Sequence, residues 1–565
     1  MRIITSVFYL AFAVLAVAEP VSARTLSGAY LAAQQADARL DYEVAADYYA
    51  RALRYDRENP VLFDRAMRAE IGQGDVAAAI RLADRYPGNV LNPLVSMLEI
   101  TSALEDGRFT DASARLDGAG DAVLPILSDL WRGWLSLNMG EEDAAFAFWA
   151  GMNDNRTTRL FARYHAGLAN IALEQYQQAA AELLDHPDAP LILNRDATRT
   201  RAELAARLDR RAEAVASLNL VLNGTLGDEG FEALRDSIAA GEDVGFSALE
   251  MPTQGFARAL YDVASVFGED NDEVALIYTR LATHLDPELW EAWLLAAEIL
   301  ERQGQYDLAD EAYAQIPTTV PQAVDAGLGR ASVLIAAERT DDALTVYARL
   351  AAEYPESLRV HYYYGEDLRR AERFDEAIIA FDRAEELALA RDSVFWQLYN
   401  ARAIAYHLSE TWPPAEADFR TALDLAPEQP FVLNYLGYSL VEQGRNLEEA
   451  LDMIERAAAQ RPSNGFIVDS LGWVYFILQR YDEAVEPLER AVALEPIDPV
   501  INDHLGDAYW MVGREREAEF QWNRALSFDP EPEDRTRILR KLEVGLDAVR
   551  LEEGYVPLQE ARNVD

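Results

Sequence analysis

The last third of the chain repeats a Leu-Gly pair three times at nearly constant spacing. The pairs are Leu436-Gly437, Leu471-Gly472 and Leu505-Gly506, which stand 35 and 34 residues apart. Each pair is followed downstream by an alanine, a bulky residue, a second alanine and a proline. A fixed period near 34 residues indicates one supersecondary unit that stacks on copies of itself, so the chain does not need a single large core.

One unit, residues 465–498, indicates what is repeated. Gly472 on a predicted first helix, and Ala484 and Ala491 on a second, are small because the two helices must approach closely. Pro496 ends the second helix, since proline lacks a backbone N–H and its ring clashes with the preceding turn. This residue order is the signature of the tetratricopeptide repeat, in which paired antiparallel helices stack into a superhelix.

The same pattern extends toward the amino terminus with growing irregularity. We therefore predict an all-α tetratricopeptide-repeat superhelix of about 13 to 14 hairpins in two blocks, with about six before residue 222. Residues 223–255 contain six glycines and an acidic excess, which predicts a connection. The predicted division is a signal peptide at 1–23, a degenerate array at 24–222, the connection at 223–255, a second array at 256–532, and a capping helix and tail at 533–565.

The amino-terminal residues predict export. Arg2 precedes an apolar run over residues 3–18, and Val21-Ser22-Ala23 is a small-residue site of the kind that signal peptidase cuts. We expect cleavage near Ala23 and a periplasmic protein; an uncleaved anchor is the alternative, although the run is short for a membrane span. The sequence has no cysteine, so we expect neither a lipid anchor, nor disulfides, nor thiolate zinc sites.

The net charge and the scarcity of lysine and histidine indicate which partners and which enzyme activities are not expected. The chain carries 51 basic and 97 acidic residues, a formal net charge of −46, which argues against nucleic-acid binding. This acidity has two interpretations, attraction of basic partners or simple solubility. Lys541 is the only lysine, which we attribute to genome composition, and the six histidines form no ligand cluster. Since phosphate-loop and nucleophile motifs are also absent, we expect no enzyme activity, cofactor or metal.

In such arrays the first helices of successive hairpins line a concave groove, so residues that face away from the second helix are candidates for partner binding. Asparagine can both donate to and accept from a peptide backbone, and aromatic faces bury apolar groups or stack on a cation. The alternative is that the Asn and Asp residues start helices and the aromatic residues pack between hairpins. The predicted partner-binding residues are Asn400, Phe431, Asn434, Tyr438, Phe466, Asp469, Trp473, Phe476, Asp503, Asp507 and Trp510.

Three motifs are more specific than the generic repeat: L-G-Y at 436–438, D-S-L-G-W at 469–473 and H-L-G-D at 504–507. Around them, the carboxyl-terminal third resembles exported proteobacterial tetratricopeptide proteins, including periplasmic adaptors of carboxyl-terminal processing proteases. Those adaptors are lipid-anchored through a cysteine, which this chain lacks.

The resemblance implies a soluble periplasmic scaffold or adaptor that binds proteins or peptide segments, with such a protease and its substrates among the expected partners. One alternative is a structural subunit of an envelope assembly or a polysaccharide-export machine. The other is an enzyme with an unrecognised carboxylate site.

Overall fold

The computed structural model describes residues 25–87, 92–152, 156–186, 194–223, 226–247, 249, 251–267 and 271–554. The predicted signal peptide at 1–23 and the last part of the predicted tail lie outside these ranges. Within them the regular structure is entirely helical, with 31 α-helices, two short 3-10 helices and no β-strand. No helix in the described ranges is long and apolar enough to cross a bilayer.

The α-helices are numbered in chain order. The first nineteen are α1 Leu26–Asp37, α2 Tyr42–Tyr55, α3 Pro60–Gln73, α4 Val76–Ala83, α5 Pro93–Glu105, α6 Phe109–Ala119, α7 Pro125–Asn138, α8 Glu142–Gly151, α9 Arg156–Ala172, α10 Tyr176–Leu183, α11 Arg195–Arg207, α12 Arg211–Leu222, α13 Glu229–Ala240, α14 Gly255–Ala264, α15 Asp272–Leu285, α16 Trp290–Arg302, α17 Tyr306–Ala314, α18 Ala323–Ala336 and α19 Thr340–Glu353. The remaining twelve are α20 Leu358–Arg370, α21 Phe374–Ala390, α22 Trp396–Leu408, α23 Trp412–Leu425, α24 Pro430–Glu442, α25 Leu447–Gln460, α26 Gly465–Ile477, α27 Tyr481–Leu494, α28 Pro499–Met511, α29 Glu515–Ser527, α30 Pro532–Val544 and α31 Leu546–Glu552.

The order of these helices confirms the predicted repeat architecture. By their order in the described chain, the helices form six successive pairs before residue 223 and eight more from α14 to α29. Helix α13 stands between the two sets, and α30 and α31 follow the last pair. The prediction of an all-α fold with 13 to 14 hairpins is therefore confirmed.

Local sequence explains where the first helix of a hairpin begins. The side chains of Asn464 and Asp498 accept hydrogen bonds from the backbone N–H groups three residues on, which caps α26 and α28. Pro430 and Pro499 occupy the first positions of α24 and α28, where a missing N–H costs nothing because no helical partner exists for it.

The glycines of the Leu-Gly pairs mark the closest approach within each hairpin. A Cβ atom added to Gly472 would lie 2.5 Å from Cγ of Leu488, and one added to Gly506 would lie 2.5 Å from Cδ1 of Trp522. Both distances are far below van der Waals contact, so only glycine lets the second helix pack at this depth. The predicted register of the helix pair is confirmed at these positions.

Within the described ranges the chain divides into two compact units, the first ending at residue 363 and the second beginning at residue 364. In the first unit, α14 and α15 pack against first helices of the amino-terminal hairpins, among them α3, α5, α7 and α9. The indole N–H of Trp131 on α7 donates to the carbonyl of Phe256 at 3.2 Å, and the buried Arg258 pairs with Asp196 of α11 at 3.3 Å. The predicted connection at 223–255 includes α13 and a 3-10 helix, Pro252–Gln254. The division into two arrays at this connection stays a prediction.

Candidate functional site

The predicted partner-binding residues all lie in the second unit, on α22, α24, α26 and α28. We call the side of these first helices that carries them the groove face. Helix α24 contacts α26 directly, and α26 contacts α28, so equivalent positions on successive helices are neighbours. Packed helices lie about 8–10 Å apart, which sets the spacing of side chains along this face.

An exposed apolar row runs along part of the groove face. Phe431 and Phe466 occupy the second position of α24 and α26 and are 50% and 55% exposed, and Val500 at the same position of α28 is 44% exposed. The guanidinium of Arg461 lies 5.7 Å from the ring centroid of Phe431, within cation–π range. Phe431, Phe466 and Val500 are called the apolar row below.

Polar groups accompany the apolar row. Asn400, Asn434 and Tyr438 are half-buried, and the side-chain oxygen of Asn434 is buried without a hydrogen-bond partner. Burial, followed by the carboxylates of Glu442 and Asp469, raises the pKa of Tyr438, so its hydroxyl remains protonated. Asn434 thus carries an unpaired acceptor that is buried in this conformation, three residues along α24 from the exposed ring of Phe431.

Asp469, Trp473 and Phe476 form a stacked cluster with His504 of α28. Nδ1 of His504 donates to the Asp469 carboxylate at 3.0 Å, while the ring of half-buried Trp473 stacks on His504 at 3.8 Å and on Phe476 at 4.7 Å between centroids. Burial lowers the pKa of His504, but the carboxylates of Asp469, Asp503 and Asp507 together outweigh it, so the pKa is raised overall. Phe476 is only 3% exposed and also packs on Tyr481, so it supports the packing of this cluster.

Asp503 and Asp507 are engaged by the chain's only lysine. The ammonium group of Lys541 on α30 lies 2.7–2.9 Å from the Asp503 oxygens and 2.6–2.8 Å from those of Asp507, and its side chain is 0% exposed. Asp507 also accepts from the indole N–H of Trp522 at 2.9 Å. Burial and the neighbouring Asp507 raise the pKa of Asp503 to about 6 even though Lys541 opposes this.

The terminal helices cover this end of the groove face. The indole N–H of Trp510 donates to Asp547 of α31 at 3.1 Å, and a Cβ atom on Gly545 would lie 2.5 Å from the Trp510 ring. Arg550 of α31 lies 5.4 Å from the ring centroid of Phe476. The capping helix predicted within 533–565 is present, but its packing against the groove face was not predicted; the one signal for it was the lone Lys541, downstream of Asp503 and Asp507.

The structure thus separates the eleven predicted residues into three sets. Asn400, Phe431, Asn434, Tyr438, Phe466 and Trp473 lie on the part of the groove face that α30 and α31 leave open. Asp469 and Phe476 are buried in the stacked cluster, and Asp503, Asp507 and Trp510 bond or pack against the terminal helices. A partner-binding role for each of the eleven stays a prediction.

Two polar side chains on first helices of the first unit, Arg359 and Asp262, are engaged within that unit. Arg359 of α20 pairs with Asp325 of α18 at 2.9 Å and also with Glu229 of α13. Asp262 of α14 accepts from Asn194 at 2.9 Å, beside the start of α11.

Parts of the chain match family models of the tetratricopeptide repeat. Two tetratricopeptide-repeat family models match the chain, one at residues 328–393 and 435–499, the other at 291–323. No curated protein matches at a significant level.

Similar solved structures include the APC/C hetero-tetramer Cut9–Hcn1, with 14% identity, a TM-score of 0.37, and coverage of 80% of this chain and 96% of that one. Yeast Tom70 has 14% identity and a TM-score of 0.35, covering 92% and 94%. A tetratricopeptide repeat protein from Parabacteroides merdae has 13% identity and a TM-score of 0.37, covering 45% and 98%. The family matches, together with the fourteen helix pairs, identify the fold of this chain as an all-α superhelix of tetratricopeptide repeats.

Proposed function

We propose that this chain is a scaffold that holds a segment of a partner protein on the open part of the groove face, across α22, α24 and α26. The apolar row carries this proposal. Phe431 and Phe466 stay half-exposed at equivalent positions of adjacent helices, whereas on α28 only Val500 stays part-exposed and Asp503 and Asp507 are covered by α30. Large apolar side chains exposed together mark an interaction site more often than scattered ones do.

The contacts available favour an extended segment. Apolar side chains of the partner would pack on Phe431 and Phe466, which bury large areas when covered. Rotation of the half-buried Asn434 side chain would let its unused oxygen accept a backbone N–H, a group that an extended segment presents and the middle of a helix does not. Covering these residues would therefore satisfy an acceptor as well as bury apolar surface.

The proposal extends to the compartment and the partner. The sequence of residues 1–23 supports export with cleavage near Ala23, and the absence of cysteine supports a periplasmic protein without a lipid anchor. The motifs at 436–438, 469–473 and 504–507 support an adaptor role for a carboxyl-terminal processing protease and its substrates. The proposal assigns no catalytic step to the chain itself.

The test uses the full mature chain, tagged and incubated with periplasmic extract, with captured proteins identified by mass spectrometry. The variant Phe431→Ser/Phe466→Ser removes both exposed rings of the apolar row. Phe520→Ser is the matched control, because Phe520 is 62% exposed on α29, a second helix. We expect wild type and the control to capture a protease with its substrates, and the double variant to lose them without a change in melting temperature.

Equal capture by the double variant and wild type would refute the groove face as the binding site. Capture of a stoichiometric membrane complex in place of a protease would support the alternative of a structural envelope subunit.

A further inference from the structure

We propose that Arg280 holds a small oxyanion in the first unit, where α15 meets the turn between α3 and α4. Arg280 lies on α15 and is only 4% exposed. Among the described residues, its guanidinium makes neither a hydrogen bond nor an ion pair, and its Nε is fully buried without a partner. A buried guanidinium with unused donors is a feature that a bound anion would complete.

The surroundings fix the position of the guanidinium. Gly74 ends α3 in the left-handed conformation, and a Cβ atom there would lie 3.5 Å from Cζ of Arg280. The ring centroid of Trp293 lies 5.8 Å from the same Cζ, and the Trp293 indole is itself anchored by a hydrogen bond to the carbonyl of Pro287 at 3.1 Å. Neither the Gly74 turn nor the Trp293 ring accepts a hydrogen bond from Arg280, so its Nε–H stays without a partner.

The guanidinium of Arg280 is charged, so its burial without an acidic partner is unfavourable. Burial lowers the pKa of Arg280 to about 10, while the more distant Glu311 carboxylate and Tyr42 act in the opposite direction. The group is therefore still charged at neutral pH. An isolated buried charge carries a desolvation penalty of several kcal/mol that a paired one offsets. Arg258 shows the paired case in the same unit, since its guanidinium lies 3.3 Å from the buried Asp196 carboxylate.

The donor set defines the class of ligand. The edge of a guanidinium presents parallel N–H groups that match two oxygens of a carboxylate, phosphate or sulfate. A pocket of about 350 Å³ beside the same helix is lined in part by Leu276 and Ile277 but not by Arg280, and its lining includes the carboxylates of Asp37 and Glu273, so we place the anion at the guanidinium and not in that pocket. Because the chain as a whole repels anions, binding there would depend on this one site.

The test is equilibrium binding of inorganic phosphate, sulfate and acetate to the full chain at constant ionic strength. We expect one equivalent bound by wild type, none by Arg280→Met, and weaker binding by Arg280→Lys, which keeps the charge but loses the paired donors. Arg68→Met is the matched control. Arg68 lies at the same junction of α3 and α15, but it is already paired with Asp64 at 2.9 Å and Glu273 at 2.8 Å, so its loss should leave one equivalent bound.

If phosphate and sulfate bind and acetate does not, the ligand of this site is a tetrahedral anion. If only acetate binds, the ligand is a carboxylate. Absence of all three from wild type, with a higher melting temperature for Arg280→Met, would overturn the proposal and identify Arg280 as an uncompensated buried charge. Loss of binding in Arg68→Met as well would overturn it too, because the effect would then follow from disturbing the junction.

Discussion

Lys541→Met tests the attachment of the terminal helices to the groove face. Methionine has nearly the length of lysine, so the substitution removes the charge and leaves the volume in place. It deprives the buried carboxylates of Asp503 and Asp507 of the ammonium group that lies 2.6–2.9 Å from their oxygens. Removing one partner of a buried ion pair costs about 3–5 kcal/mol, because the remaining charge is left in a poorly solvated site. This range is the upper limit here, because the guanidinium of Arg537 stays 3.5–3.6 Å from both carboxylates.

The effect should depend on pH. Burial and Asp507 raise the pKa of Asp503 to about 6 while Lys541 lowers it, so loss of Lys541 raises that pKa further. A raised carboxyl pKa means that the folded state binds protons more readily than the unfolded state. The contribution of Asp503 to stability is then greatest in acid and is lost as pH rises through the pKa that the group has in the folded state. The defect of Lys541→Met should therefore be large at pH 8 and small at pH 5.

Hydrogen exchange of α28 and α30, corrected for intrinsic rates, measures this locally, which suits a chain with more than one unit. A loss of 3–5 kcal/mol corresponds to a fall in protection of roughly 10²- to 10⁴-fold. Arg540→Met is the control, since Arg540 pairs with Glu552 and Glu543 on the solvent side of α30. Combining Lys541→Met with Asp503→Asn and Asp507→Asn should restore most of the protection, because no buried charge is left unpaired.

Unchanged protection of α28 at pH 8 in Lys541→Met would refute this reasoning. So would an equal loss in the Arg540→Met control, because the effect would then come from the exposed pairs of α30.

Two further substitutions test packing. Phe476→Ala should lower the free energy of unfolding by about 3–5 kcal/mol, because a buried ring is lost. Phe466→Ala, on the exposed apolar row, should change it by less than about 0.5 kcal/mol. Similar melting temperatures for the two variants would contradict the burial assigned to Phe476. Gly472→Ala should lower the free energy of unfolding, measured in urea, by about 1–3 kcal/mol, because the added Cβ would lie 2.5 Å from Cγ of Leu488. Gly118→Ala on α6 is the control: its added Cβ meets nothing within 4 Å, so this variant should not be destabilised.

The repeat architecture could be predicted because its determinants are local. Gly472, Leu488 and Pro496 lie within one 34-residue unit, so their spacing alone predicts a helix pair and its register. The same register placed Phe431 and Phe466 on the side of their helices that proved exposed. Short-range patterns determined these features, and the structure retains them.

The covering of the groove face could not be predicted in the same way. Lys541 contacts Asp503 from 38 residues away, and Trp131 contacts Phe256 from 125 residues away. No periodic pattern encodes either contact, because each joins elements that the repeat does not relate. The lone lysine was attributed to genome composition for this reason, although burial between two carboxylates gives it a structural role.

The covering of α28 also limits how much of a partner this unit can hold. With Asp503, Asp507 and Trp510 of α28 engaged by the terminal helices, the proposed open face spans mainly three first helices, α22, α24 and α26, or roughly 25–30 Å at ordinary helix spacing. An extended chain advances about 3.3 Å per residue, so the footprint corresponds to about eight or nine residues. Recognition on this scale is that of a short linear motif, and peptides of about this length should compete fully with the intact partner.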